Sequence, residues 1–539
     1  MKRKLLTFIL FFSLVTLFAQ NEDAWVYFND KPSETTFTAS PLTMLTQRAL
    51  DRRIRYSISL DFKDIPVEAS YVLQVNNSIG ITIKARSKWL NALHVQGTET
   101  DINNLLNLSF ISKIEFANKS LNASNKNRIK SNIPPQHKTL DFTTDFNYGN
   151  GANQIEMLKG EVLHQNNFTG EGMQIAIIDA GFPNVDNFSA FQRIRDNNQI
   201  LGGYDFVNRN ANFYTGHYHG MAVLSTIGGY LDNQFIGTAP DAKFYLFISE
   251  DAVNETPLEE SLWVEAAERA DSLGVDVINT SLGYTTFDNS NYNYEYADMD
   301  GQTTFISRGA EIAFSRGMIV VNSAGNSGND AWHYVSAPAD APSVLSIGAV
   351  DAFGTIAGFS SFGPTFDGRI KPDVCAQGAG VYIINSSGNV ATSNGTSFSS
   401  PVLTGVITCL WQAFQDKNNA EIVQLIKESS HLYTNPRNQE GFGIPNFETI
   451  YNLLDIDEEE DIIEFSLFPN PTRDFINFKF PTDISEMEVT VFNILGKKVA
   501  SNLVNKNTPR TNISSLTKGL YMVQVTYSDV VKTIKVLKN

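Results

Sequence analysis

Asp179, His219, Asn326 and Ser397 offer a carboxylate, an imidazole, a carboxamide and a hydroxyl, the groups needed for nucleophilic catalysis with oxyanion stabilisation. Asp179 follows Ile175-Ala176-Ile177-Ile178 and precedes Ala180-Gly181, so its carboxylate passes from an apolar run straight into a tight turn. There it can serve chemistry or simply accept hydrogen bonds from turn amides. His219 lies in Gly216-His217-Tyr218-His219-Gly220-Met221-Ala222-Val223-Leu224-Ser225-Thr226, at the start of an apolar helical stretch. His217 competes with it as a base; His219 is preferred because the Gly after it permits close chain approach. The pair also suggests a metal site, but no third or fourth His or Cys ligand is placed nearby. Ser397 stands in Asn394-Gly395-Thr396-Ser397-Phe398-Ser399-Ser400-Pro401, just before Val402 to Phe414, which reads as a buried helix with Pro401 in its first turn. Backbone N–H groups at that terminus can stabilise negative charge beside the hydroxyl, though Ser397 can equally serve as a cap. Asn326 follows the apolar run Met318 to Val321 in a polar, Gly-rich loop, where it either makes a turn or aims its N–H at an oxyanion.

The elements that must hold these groups are short, nearly continuous apolar runs, as strands buried on both faces should be: Gln174 to Ile178, Lys243 to Ile248, Val275 to Asn279, Met318 to Asn322 and Val344 to Val350. Helical stretches at Glu259 to Leu273 and Thr304 to Arg316 alternate with them, each ending at a Gly. The alternation over about residues 148 to 454 predicts a mostly parallel α/β sheet with helices on both faces, with functional groups beyond the carboxyl ends of the strands. Before it, a small α+β unit is predicted from a strand at Trp89 to Val95, a helix at Thr98 to Leu108 capped by Thr98 or Thr100, and a strand at Ile111 to Phe116. Leu121 to Lys138, rich in Asn, Lys, Ser and Pro, reads as an exposed, cuttable linker. The carboxylate block Asp455 to Glu464 marks a second boundary. Beyond it, Phe475 to Phe480, Glu488 to Asn493, Leu520 to Thr526 and Val530 to Leu537 predict a small all-β, sandwich-like module.

A chain of 539 residues exceeds one hydrophobic core, and its formal charge of −17 repels nucleic acid phosphates, so no nucleic acid partner is expected. Lys2, Arg3 and Lys4 precede an apolar run from Leu5 to Phe18, followed by Ala19, the pattern of a cleaved signal peptide. About 14 apolar residues fall short of the roughly 20 that span a bilayer, so no integral membrane segment is expected once the signal is removed. Cys375 and Cys409 are the only cysteines; their apolar contexts favour two buried thiols over one disulfide.

Together these segments resemble the subtilisin-like serine peptidases, whose triad runs Asp, His, Ser along the chain. The motifs are the Asp-Xaa-Gly turn at Asp179, the His-Gly helix start at His219, the Ala-Gly-Asn loop at Asn326 and Gly-Thr-Ser-Xaa-Xaa-Ser-Pro at Ser397, with Lys371-Pro372-Asp373-Val374 in addition. The resemblance implies Asp179, His219 and Ser397 as catalytic residues and Asn326 as the oxyanion donor. It implies that Ser281, Leu282 and Gly283, in Asn279-Thr280-Ser281-Leu282-Gly283, lie along the substrate backbone, and that pocket shape there and at Ser323, Ala324 and Gly325 sets cleavage preference. Ala180, Met221 and Phe398 depart from the family's usual Ser or Thr, Thr, and Met, and none removes a catalytic group.

Residues 21 to about 120 resemble the family's pro-region, which assists folding and then occupies the active site. Residues 465 to 539, with Phe468-Pro469-Asn470-Pro471-Thr472, Asn493-Ile494-Leu495-Gly496-Lys497 and Lys518-Gly519-Leu520-Tyr521, resemble the sorting domain of type IX secretion cargo, which implies that export machinery as a partner and a secreted or cell-surface location. The implied domains are a signal peptide at 1–20, a pro-region and linker at 21–145, a catalytic domain at 146–455 and a sorting domain at 465–539. The implied reaction is hydrolysis of protein or peptide substrates by a secreted serine endopeptidase through an acyl-enzyme. It requires no cofactor and no catalytic metal; calcium could brace the Asp- and Asn-rich insertion from Asp288 to Asp300. An α/β-hydrolase esterase would need the order Ser, Asp, His and a Gly where Ser399 stands. A binding module descended from an enzyme would have lost a triad member, and none is missing.

Overall fold

A computed structural model describes residues 20–122, 146–459, 466–480, 484–493, 496–527 and 530–539. The signal-peptide stretch and nearly all of the expected linker lie outside the described residues. Residues up to Ile450 make one compact unit and Tyr451–Asn539 a second.

The first unit is built on a seven-stranded sheet in the spatial order Val374–Gln377, Leu345–Val350, Ile319–Ser323, Val277–Thr280, Gln174–Asp179, Lys243–Ile248, Ile200–Asp205. Every neighbouring pair is parallel. The interior strands are those anticipated from their apolar runs. The two edge strands were not, for local reasons: Gly202 and Gly203 interrupt the apolar pattern of one, and the other has only four residues beginning two positions after Pro372. One face packs against the paired helices Leu258–Leu273 and Phe305–Ser315, which share a core with Ala176, Ile178, Ile278 and Val320. The helices His219–Gly228 and Thr396–Ala413 pack against each other and complete the layering. Thr304 caps the second surface helix, accepting a hydrogen bond from Ser307 N at 3.2 Å.

The helix carrying Ser397 differs from its expected extent. It begins at Thr396, six residues before the anticipated Val402, so Pro401 sits inside it rather than in its first turn. Ser and Thr are poor helix formers, which hides the start in the sequence.

The N-terminal part of this unit is an antiparallel sheet ordered Thr82–Ser87, Ala92–Thr98, Asn21–Phe28, Ile111–Phe116. The strand expected at Trp89 to Val95 starts at Ala92, because Trp89, Leu90 and Asn91 form the turn, with Asn91 at φ 49°. Thr98 caps the following helix, which is α-helical over Glu99–Asn104 and tightens to a 3₁₀ turn at Leu105–Asn107.

In the second unit, Ser466–Phe468, Phe475–Lys479 and Arg510–Asn512 form one antiparallel sheet, and Lys498–Asn505, Glu486–Asn493, Gly519–Tyr527 and Val530–Lys538 form another. Ile476, Phe478, Val489, Val491, Val523, Val525 and Val536 share its core. The strands Ser466–Phe468, Lys498–Asn505 and Arg510–Asn512 had not been anticipated; two are three residues long, and Lys498–Asn505 is largely exposed. The carboxylate block is not wholly irregular, since the helix Phe447–Glu459 runs into it.

Cys375 and Cys409 are both free and buried, as expected.

Candidate active site

Asp179 is the last residue of its strand, and its side chain is 2 % exposed. Its Oδ1 accepts from Ala180 N at 2.7 Å and from His219 Nδ1 at 2.8 Å. Oδ2 is buried without a hydrogen-bond partner.

His219 opens its helix, with the side chain 28 % exposed. Gly220 makes the approach to Asp179 feasible: a Cβ there would lie 2.9 Å from Asp179 Cβ and 2.5 Å from Gly181 O. Burial alone would lower the imidazole pKa, but the charge and hydrogen bond of Asp179, with Glu250 adding in the same direction, hold it above its usual value. With Nδ1 donating to the carboxylate, Nε2 is left as the acceptor. His217 is exposed, its ring against Tyr218, and only its backbone N–H reaches Ala180 O, at 2.9 Å.

Ser397 Oγ donates to Ser281 O at 3.3 Å, and no hydrogen bond joins it to His219 among the described residues. The ring of its neighbour Phe398 lies 5.9 Å from the His219 imidazole, centroid to centroid. Unliganded catalytic sites commonly hold this hydrogen bond open.

Asn326 is oriented by a residue the sequence did not single out. Its Oδ1 accepts from Thr396 N at 2.8 Å and Thr396 Oγ1 at 3.0 Å, which turns the amide N–H groups the other way. Between the two stands Gly395 at φ 147°, where a Cβ would sit 3.6 Å from Asn326 Nδ2 and 3.7 Å from Ser397 N. That position has two N–H donors near it, with Asn326 Oδ1 at 3.8 Å on the side held by Thr396.

Ser281 to Gly283 and Ser323 to Gly325 approach one another over Ser336. Its hydroxyl is the nearest group to a Cβ placed on Gly283 and lies 3.5 Å from one placed on Gly325. Ser336 carries no local signal, being one small residue in an apolar run. The insertion offered for calcium has its carboxylates engaged within the chain: Asp298 pairs with Lys119, and Asp300 Oδ1 accepts from Gln302 N and Thr303 N at 2.9 and 2.8 Å.

The profile of the Subtilase family matches residues 170–444, just over half of the chain. A Peptidase S8 propeptide domain of Bacteroidota matches residues 23–133, and a secretion system C-terminal sorting domain matches residues 466–539. Subtilisin NAT of Bacillus subtilis subsp. natto is 28% identical over 319 residues, covering 58% of this chain and 73% of the relative. Serine protease AprX of Bacillus subtilis is 26% identical over 312 residues, covering 52% and 66%. The crystal structure of MycP1 with the N-terminal propeptide removed aligns at a TM-score of 0.44 and 22% identity, over 55% of this chain and 96% of that one.

The chain belongs to the subtilase family. It is a serine endopeptidase made with a propeptide, and its type IX sorting domain directs it to the cell surface or the medium. No helix among the described residues is long and apolar enough to cross a membrane.

Proposed function

We propose that Asp179, His219 and Ser397 are the triad of this endopeptidase, acting through an acyl-enzyme. His219 Nε2 takes the Ser397 Oγ proton as Oγ bonds to the peptide carbonyl carbon, and returns it to the leaving amine as the C–N bond breaks. Water then attacks the ester by the same relay, releasing the acid and restoring the hydroxyl. Asp179 holds the imidazole tautomer and offsets the imidazolium charge. Asn326 Nδ2 and Ser397 N receive the oxyanion beside Gly395. The peptide backbone lies along Ser281, Leu282 and Gly283, with Ser323, Ala324 and Gly325 across the pocket. This chemistry draws on no cofactor.

The observation that carries the reading is the 2.8 Å bond from His219 Nδ1 to Asp179 Oδ1, which leaves Nε2 as the base. The same reading takes residues 1–20 as signal, 21–145 as pro-region and linker, 146–455 as catalytic domain and 465–539 as sorting domain, with the activating cut between Leu121 and Lys138. A fluorophosphonate should attach to Ser397, and labelling should vanish in Ser397→Ala and fall steeply in His219→Ala. A label on another serine would overturn the assignment.

A further inference from the structure

In a regular helix the carbonyl of residue 397 accepts from the N–H of residue 401. Residue 401 is Pro, which has no N–H and whose ring crowds that carbonyl. The backbone oxygen of the proposed nucleophile is therefore denied its helical partner. Ser281 supplies the missing donor: its Oγ reaches Ser397 O at 2.9 Å from a neighbouring segment 116 positions away in sequence.

That hydroxyl is itself held. Asn279 Nδ2 donates to Ser281 Oγ at 3.3 Å, while Asn279 Oδ1 accepts from Ser400 Oγ at 3.1 Å and Thr404 Oγ1 at 3.0 Å. Asn279, Ser400 and Thr404 are fully buried, and Asn279 follows the apolar Val277 and Ile278 in its strand. An aliphatic side chain would satisfy that core, whereas a buried carboxamide is costly unless its partners are in place. Here both of its polar atoms are used, and they tie the end of the strand Val277–Thr280 to the first turns of the Thr396–Ala413 helix.

We infer that Asn279 is a positioning residue: through the Ser281 hydroxyl, Ser400 and Thr404 it sets the separation between Ser397 and the substrate segment Ser281–Gly283. The inference rests on the proposed triad. Nucleophile and substrate cradle belong to different elements, and a misplacement near 1 Å can cost about 100-fold in rate. Pro401 gives the tie its purpose, since it removes the i+4 donor that a regular helix would offer the Ser397 carbonyl.

The test is steady-state proteolysis by the processed full-length protein and its variants, with kcat expressed per active site titrated by a fluorophosphonate. Asn279→Ala and Ser281→Ala should each lower kcat per titrated site about 10- to 100-fold, with KM far less affected. The double variant should lose little more than either alone, and Ser281→Thr should recover most of what Ser281→Ala loses. Should Asn279→Ala fail to fold, Thr404→Val removes only the far hydroxyl and should lower kcat per site about threefold. Wild-type kcat per titrated site in every folded variant, with only the titratable fraction or Tm reduced, would mean that the lattice merely stabilises the fold and would overturn the inference. Absence of label at Ser397 in the wild type would instead refute the triad.

Discussion

At the carboxyl ends of the parallel strands, Asp179 keeps one carboxylate oxygen without a hydrogen-bond partner, and Ser397 Oγ rests on a long bond to Ser281 O. At the amino ends, acidic groups are closed off. Asp276, just before its strand, accepts from Gln174 N at 2.8 Å and pairs with Arg48; Asp271, fully buried, takes Arg52 at 2.5 Å and Arg53 at 2.8 Å. Arg53 also holds Asp64, which Arg316 reaches at 3.4 Å. These arginines, except Arg316, come from the helix Gln47–Arg55 of the N-terminal region. The same region also covers the paired surface helices, with Trp25 stacked on Phe305 at 4.9 Å and Glu268 accepting from Ser87 Oγ, Lys88 N and Trp89 N. The carboxyl ends thus keep a carboxylate oxygen unspent where charge must develop, while at the amino ends the carboxylates are spent on holding the N-terminal region, even though Arg52 Nε and Arg53 Nε stay buried without partners. Substitutions at the carboxyl ends should therefore alter rate, and those at the amino ends should alter assembly.

The largest effect on rate is expected at Ser397. Ser397→Ala should lower turnover about 10⁶-fold, the loss known for a subtilisin nucleophile rather than one derived from this geometry. It should also accumulate as a precursor retaining the N-terminal region, read by intact mass. His219→Ala should approach that loss and His217→Ala should not; the reverse result would move the base to the exposed histidine.

At the amino ends, Asp271→Ala takes from buried Arg52 its paired carboxylate and from Arg53 one of two, and should destabilise the precursor by about 3–5 kcal/mol, measured by denaturant unfolding. Its kcat per titrated active site should stay near wild type. A large fall in kcat with unchanged stability would erase the distinction between the two edges.

Asn326→Ala should lower kcat about 10²- to 10³-fold with little change in KM, a magnitude again known from a subtilisin oxyanion donor. A compensating rise in KM with kcat preserved would make Asn326 a ground-state contact instead.

Acidity should act on both regions, with the smallest effects. His219 must be neutral to serve as base, and Asp179 holds its pKa above the ordinary 6.5, so the acid limb of kcat/KM should fall above pH 6.5. Burial raises Glu268 from 4.5 to about 7. A carboxyl raised in the associated state takes up a proton on association, so its contribution is full below about pH 4.5 and lost as the pH rises through about 7. The cleaved N-terminal region should therefore dissociate more readily at pH 8 than at pH 6, and Glu268→Gln should flatten that dependence, as read by size exclusion.

Much of this arrangement is written locally. Runs such as Ile175 to Ile178 and Met318 to Val321 announce doubly buried strands because only such strands tolerate continuous apolar sequence, and Asp179 and Asn326 are conspicuous as the polar residues beyond them. The surface helices carry their own start and stop, with Thr304 as cap and Gly274 closing the longer one at φ 85°. Cues of this kind reach only a few residues and are fully present in the chain order. They do not extend to the edge strands, one interrupted by Gly202 and Gly203 and the other only four residues long.

By itself, then, the sequence determined the α/β architecture, the order of the four polar groups and the interior strands that carry two of them, since each depends on contacts between near neighbours. Tertiary structure alone decided that the Ser397 helix starts at Thr396, that a hydroxyl 116 positions away takes the carbonyl Pro401 cannot, that Thr396 turns the Asn326 amide, and that Arg52 meets Asp271 across 219 positions. The physical reason is the same in each case. The hydrogen-bonding needs of a buried polar group can be read from its residue type, but which distant group satisfies them is settled only when the chain closes on itself.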